Sequence, residues 1–237
     1  MLFVEALFAV QDEDVLSGQL HHRFEQLPER ARLAAARAKQ TDTAAENGEL
    51  DLERLNMLQR QHRIEGEVTS IETRLVELDG KLYGGAITTA REASTLQEEI
   101  GHLRLRQDAL EGNVLELMEA LEPLDERLAE LAGLGIRQET SIAEALRDLS
   151  TAEAAVTDEL DESAARREAA VSQLDVEVLD HYEKNRTAFG SSTAVRFTGT
   201  DCKGCPLAMP AVEADRVRAL PSGTLVDCRE CGRLVVR

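Results

Sequence analysis

The chain has 237 residues, of which 45 are acidic and 27 are Lys or Arg, for a formal charge of −18; only 3% are aromatic and none is Trp. So few bulky side chains exclude a wide globular core, but they can furnish narrow apolar seams along extended helices. Seven Lys/Arg and five acids fall in residues 190–237, so this tail is +2 and residues 1–189 are −20, a charge that repels phosphate backbones and confines any nucleic-acid binding to the tail.

Residues 1–26 read as a separate or bent helix. The opening Met1-Leu2-Phe3-Val4 is apolar, but Glu5 interrupts it, no basic stretch precedes it and Gln11-Asp12-Glu13-Asp14 follows, so no targeting signal is expected. No stretch approaches membrane-spanning length. The expectation is a soluble, cytoplasmic protein without membrane association. Leu27-Pro28-Glu29 then punctuates the chain, Pro28 suiting a helix start or a kink.

Two long helical tracts follow. In the first, Ile64, Val68, Ile71, Leu75, Leu78 and Leu82 step by four and three. In the second, Leu96, Leu103, Leu110, Leu117, Leu124 and Leu131 hold one heptad position, and Ile100, Val114, Leu121, Leu128, Ile142, Leu149 and Val156 hold its companion, with Gln107 and Gly135 interrupting. Such a/d periodicity is coiled-coil patterning. Between the tracts, Gly84-Gly85 permits the left-handed backbone that ends a helix, and Thr89 three residues before Glu92 forms a capping box for the next one. A short connection makes the two helices antiparallel neighbours, with the tip at 82–90 and facing residues summing to about 172. Pro123 then faces residue 49 beside Gly48, and Gly133 and Gly135 face Ala34–Ala38. Matched bends are expected near 48 and 123, with another near 28. The second arm, Arg91 to Arg186, would be about 144 Å long as one straight helix.

The helix is expected to stop at Phe189-Gly190-Ser191-Ser192. Three β-prone runs follow, at 194–198, 224–226 and 234–236. The fold class is therefore mostly α, a long antiparallel coiled-coil hairpin over 1–188 with a small β zinc ribbon over 189–237. All four cysteines lie in this tail, as Cys202-Lys203-Gly204-Cys205 and Cys228-Arg229-Glu230-Cys231-Gly232. Two CxxC knuckles let four thiolates converge on one Zn2+, which four sulfurs close to water and substrate, making the site structural. Disulfides are disfavoured in a cytoplasmic chain, and a redox CxxC would need a thioredoxin-like βαβ setting that the pattern lacks.

The tip Leu82-Tyr83-Gly84-Gly85-Ala86-Ile87-Thr88, the ending Cys228-x-x-Cys231-Gly232-Arg233-Leu234 and Leu27-Pro28-Glu29 together resemble a bacterial family of coiled-coil hairpin proteins with a C-terminal C4-type zinc ribbon. The likeness runs over nearly the whole chain. It departs at Thr89-Ala90-Arg91-Glu92, where the family has an Asn-Pro helix start. The resemblance implies a regulatory binding protein, since characterised relatives are implicated in flagellar gene control through an alternative sigma factor and messenger RNA.

No P-loop, dinucleotide fingerprint or HExxH motif is present. His21, His22, His62, His102 and His181 are scattered along helices, and acids such as Glu116, Glu119 and Glu122 have the spacing of a solvated face. No catalytic set, small-molecule substrate or enzyme activity is expected. The expected function is a non-enzymatic adaptor or regulator that binds protein partners, with Tyr83, Gly84, Gly85 and Ile87 at the tip as the contact. The alternative is an RNA-binding regulator using Lys203, Arg216, Arg218, Arg229, Arg233 and Arg237, with weak binding to RNA or DNA.

Overall fold

The structure, a computed structural model, describes residues 2–85, 87–205 and 208–237. Its elements are α1 (Leu2–Glu25), α2 (Pro28–Tyr83), α3 (Ala90–Val171), α4 (Val176–Phe189), a 3-10 turn (Gly190–Ser192), β1 (Ala194–Arg196), α5 (Ala211–Arg218), β2 (Leu225–Asp227) and β3 (Leu234–Val236). The chain is mostly helical, with long helices forming a hairpin and a small C-terminal sheet. None of the described helices is long and apolar enough to cross a membrane. The residues divide into two compact units, Leu33–Ala145 and a second made of Met1–Arg32 with Leu146–Arg237. This division differs from a boundary at 188/189, because the tail packs on helices from both ends of the sequence.

In the Leu33–Ala145 unit, α2 and α3 run antiparallel around a seam of Ile71, Leu75, Leu78 and Ile100, flanked by Leu82, Leu96, Leu103 and Leu110. Cross-helix ion pairs fix the register: Arg74–Glu99 at 3.0 Å, Arg106–Glu67 at 3.3 Å and Arg127–Glu46 at 2.6 Å all join residues whose numbers add to 173. The turn contains Gly85 at φ 77°, a left-handed conformation that glycine adopts without a Cβ clash. Thr89 Oγ1 accepts the Glu92 backbone N–H at 3.3 Å, the helix-start bond of the capping box. Ala86, the expected centre of the tip, lies outside the described residues. Gly48 and Pro123 both sit within uninterrupted helix. Of the three positions where bends are expected, the one near 28 coincides with a helix end, at Gln26–Leu27 just before Pro28.

The second unit corrects one expectation. Arg91–Arg186 is not a single helix, because α3 stops at Val171 and α4 begins at Val176. The Ser172 hydroxyl and the Gln173 amide both donate to the Ala169 carbonyl, at 2.7 and 3.2 Å. The backbone tightens to Gln173 N–H→Ala170 O and Leu174 N–H→Val171 O. Side chains that compete for backbone acceptors, together with a 3-10 turn, terminate the helix. The chain then turns so that Leu174, Val178 and Tyr182 pack against α1 and the sheet.

That sheet has the order β1-β3-β2, with β3 parallel to β1 and antiparallel to β2. Alternating side chains of β3 serve two cores, as period-two geometry requires. Leu234 and Val236 join Val4, Leu7, Val10, Ala170 and Tyr182 on the helical face. Val235 joins Val195, Met209, Ala214, Val217, Cys202 and Cys228 on the other. Helix α5, absent from the sequence expectations, supplies Ala214 and Val217 to this second core.

Candidate metal centre and hairpin tip

The β1-side knuckle closes through Cys205 N–H→Cys202 O at 3.0 Å, and the second through Gly232 N–H→Cys228 O at 2.7 Å and Cys228 N–H→Arg233 O at 2.9 Å. Gly232 sits at φ 74°. At Gly204, a Cβ would come within 2.4 Å of Arg233 Cδ, so the glycine leaves room for that side chain. The Arg233 guanidinium is held in turn by Ser192 O at 3.0 Å and Gly204 O at 3.1 Å, and lies 4.9 Å from the centre of the Phe189 ring. It thus joins the first knuckle to the end of α4.

The knuckles bring all four sulfurs within 4.8 Å of one another. Cys202 Sγ lies 3.7 Å from Cys231 Sγ, and Cys205 Sγ lies 3.6 Å from Cys228 Sγ. These separations are far beyond a disulfide bond. They match the edge of a tetrahedron with metal–sulfur bonds of about 2.3 Å, which is roughly 3.8 Å. The donor set therefore fits a metal ion, and the four cysteines would hold it with no ligand position left open. Without the ion, burial pushes Cys202 up to about 11, and burial with its three neighbouring thiols raises Cys205 as well. Cys231 behaves oppositely: burial works against ionisation, but the Arg233 backbone N–H, the neighbouring thiols and the Arg233 side chain bring it down to about 7. Four adjacent thiols cannot all ionise unaided, and a cation is what stabilises four thiolates at this spacing.

The six basic residues considered for nucleic acid do not form a free patch. Arg216 binds Glu213 at 3.0 and 2.5 Å, and Arg229 lies 3.6 Å from the same carboxylate. Arg218 pairs with Asp215 and donates to the Gly199 carbonyl. Arg237 donates to the Arg218 carbonyl at 3.2 Å, and Arg233 is half-buried as described. Lys203 is exposed.

At the tip, Tyr83 is 80% exposed. Ile87, expected with Tyr83 as part of the tip contact, is half-buried and lines an open groove of about 660 Å³ with Lys81, Arg91 and Leu96. Gly84 and Gly85 form the turn beside it. The histidines remain dispersed. His181 lies 3.0 Å from Asp227 and His21 bonds the Ser17 carbonyl at 2.7 Å.

Sequence reasoning missed the residues that seat the ribbon. Buried Gln11 donates through Nε2 to the Ala194 carbonyl at 3.0 Å and accepts the Ala194 N–H through Oε1 at 2.6 Å, pairing with edge strand β1 as a strand would. One turn on, the Asp14 carboxylate, 7% exposed, takes Arg167 at 2.8 Å, Arg186 at 3.0 Å and the Tyr182 hydroxyl at 2.9 Å, joining α1, α3 and α4. Burial, with the Asp14 hydrogen bond, raises the Tyr182 phenol above its usual range. The available signal was helical periodicity: Val4, Leu7, Gln11 and Asp14 share one face of α1.

Comparison with known proteins agrees with this architecture. A family model described as "CT398-like coiled coil hairpin domain" matches residues 10–190. A Mycobacterium tuberculosis protein described as an "Uncharacterized protein" is 27% identical over 221 residues, 92% of this chain and 89% of that protein. Among solved structures, a Mycobacterium smegmatis protein superposes with a TM-score of 0.84 at 24% identity, covering 99% of this chain and 98% of the other. CT398 from Chlamydia trachomatis gives 0.71 at 19% identity with the same coverage. With the family model spanning most of its length, the chain belongs to the CT398-like coiled coil hairpin family.

Proposed function

We propose that the protein is a non-enzymatic adaptor or regulator that binds protein partners through its hairpin, and that its cysteines hold one structural Zn2+. The observation that carries the reading is Tyr83, a large aromatic side chain 80% exposed at the hairpin turn. Exposed aromatic residues are favoured anchors of protein interfaces. Zinc suits four thiolates in a tetrahedron better than harder cations, which take oxygen ligands. A centre saturated by four sulfurs organises the fold around it and offers no site for substrate.

The RNA-binding alternative ranks second. Five of its six basic side chains are engaged with carboxylates or backbone carbonyls, and a zinc with four thiolates adds a charge of −2 next to them.

Affinity capture from native lysate, with nuclease treatment as control, tests the proposal. The wild-type chain should retain a defined protein through nuclease treatment, and Tyr83→Ala should lose it while keeping its metal. Capture that disappears with nuclease, or that ignores Tyr83→Ala, contradicts the reading.

A further inference from the structure

The two flanks of the α2–α3 seam in the Leu33–Ala145 unit are built differently. One is clasped along its length by Arg74–Glu99, Arg106–Glu67 and Arg127–Glu46. On the other, the residues that directly follow the seam positions are Leu58, Glu65 and Glu72 on α2, and Glu111 and Met118 on α3. This flank has cross-helix ion pairs at its ends, Arg104–Asp79 at 3.7 Å and Arg54–Asp125 at 2.5 Å. Between them, no Lys or Arg among the described residues pairs with Glu65, Glu72 or Glu111. Glu65 and Glu111 accept only from Gln61 and Gln107 on their own helices, each at 2.8 Å, and Glu65 has His62 3.8 Å away. The stretch also keeps its apolar side chains in water. Leu55, Leu58, Leu115 and Met118 are 36 to 61% exposed, and an open groove of about 450 Å³ is lined by Leu115 with Glu65, Glu72 and Glu111, and by Val68 and Val114.

We infer that this flank is a docking groove for a basic amphipathic helix of a partner protein, whose apolar stripe covers Leu55, Leu58, Leu115 and Met118 and whose Lys or Arg residues pair with Glu65, Glu72 and Glu111. Two antiparallel helices leave a groove that a third helix fills by ridges-into-grooves packing. From residue 55 to residue 72 this flank of α2 is about 26 Å long, enough for some 17 helical residues. The charge identifies the occupant. A second copy would set the same unpaired carboxylates against one another on two chains of −18 each, whereas a basic helix neutralises them. The inference rests on the protein-binding reading above, and it adds a second contact surface distinct from the tip.

The test uses the full chain and a fluorescein-labelled 18-residue peptide with leucines at helical i, i+4, i+7 spacing and flanking lysines, read by fluorescence anisotropy. A scrambled peptide of equal charge and a Glu-for-Lys peptide are controls. Leu58→Gln/Met118→Gln should weaken the amphipathic peptide at least ~tenfold, since leaving two such side chains unburied forfeits most of their transfer free energy, and it should leave the scrambled peptide unaffected. Glu65→Lys/Glu111→Lys should reverse the preference towards the Glu-for-Lys peptide. All these residues are at least partly exposed, and circular dichroism checks that both variants stay helical. Equal affinity for the scrambled peptide, or unchanged binding by both variants, overturns the inference. So does a dimer in sedimentation velocity that Leu58→Gln/Met118→Gln dissociates, since a second copy is then the occupant. Tyr83→Ala should not affect peptide binding, so failure of the groove with Tyr83-dependent capture intact rejects this inference alone.

Discussion

Replacing Gln11 by Leu keeps the volume of the side chain and removes both of its hydrogen bonds to Ala194, at 3.0 and 2.6 Å. Ala194 is 2% exposed, so the stranded N–H and carbonyl of edge strand β1 cannot reach water without local opening. Each unsatisfied buried backbone group costs about 1–3 kcal/mol. Taking the lower half of the combined range, because α1 can relax, the substitution destabilises docking of the sheet on α1 by about 3 kcal/mol. At 1.4 kcal/mol per tenfold, this lowers protection of the Ala194 amide and of the β3 amides by roughly a hundredfold. Hydrogen exchange read by mass spectrometry resolves the effect locally and suits a chain of two compact units, for which one global unfolding free energy is ill-defined. Segments around Ile71, Leu75 and Ile100 serve as the internal control and should not change. If protection across 193–197 and 234–236 stays within threefold of the wild type, the Gln11 clasp does not hold the ribbon and the reasoning fails.

Two further outcomes are expected. Glu13 is held below the ordinary carboxylate range by its hydrogen bond from Arg166, against burial and with help from Ser163. Its folded pKa is below its unfolded value, so its stabilisation is complete above about pH 4.5 and is lost as pH falls through the lowered value; melting curves should show Glu13→Gln flattening the acid limb of wild-type stability. Labelled single-stranded RNA at physiological salt should bind the intact chain weakly and lose affinity steeply with added salt. Arg216→Ala/Arg218→Ala should change little, because these guanidiniums already serve Glu213, Asp215 and the Gly199 carbonyl; tight binding abolished by that pair of substitutions would restore nucleic acid as the main partner.

The long-range pattern of the hairpin was legible because leucine periodicity from Ile64 to Val156 and the Gly84-Gly85 turn are local signals repeated many times. The four cysteines were legible because ligand spacing within a knuckle is fixed by one turn of backbone. Three features escaped for physical reasons. The break at Ser172–Asp175 carries neither Gly nor Pro and depends on side chains that bond back to Ala169. The seating of the ribbon depends on Gln11 and Ala194, 183 residues apart, and no local pattern encodes such a pairing. The ribbon's basic residues looked available because counting charges cannot reveal that Glu213 already binds two of them.

A structural zinc requires that the four cysteines close the metal's coordination shell and leave no position open to water or substrate. X-ray absorption at the zinc edge, on full-length protein purified without added metal, tests this directly. The expected result is one zinc per chain with four sulfur neighbours at about 2.3 Å, abolished by Cys228→Ser while helical circular dichroism largely persists. A mixed sulfur and oxygen shell with an exchangeable water, or a metal-free chain whose β3 amides remain protected, would contradict it.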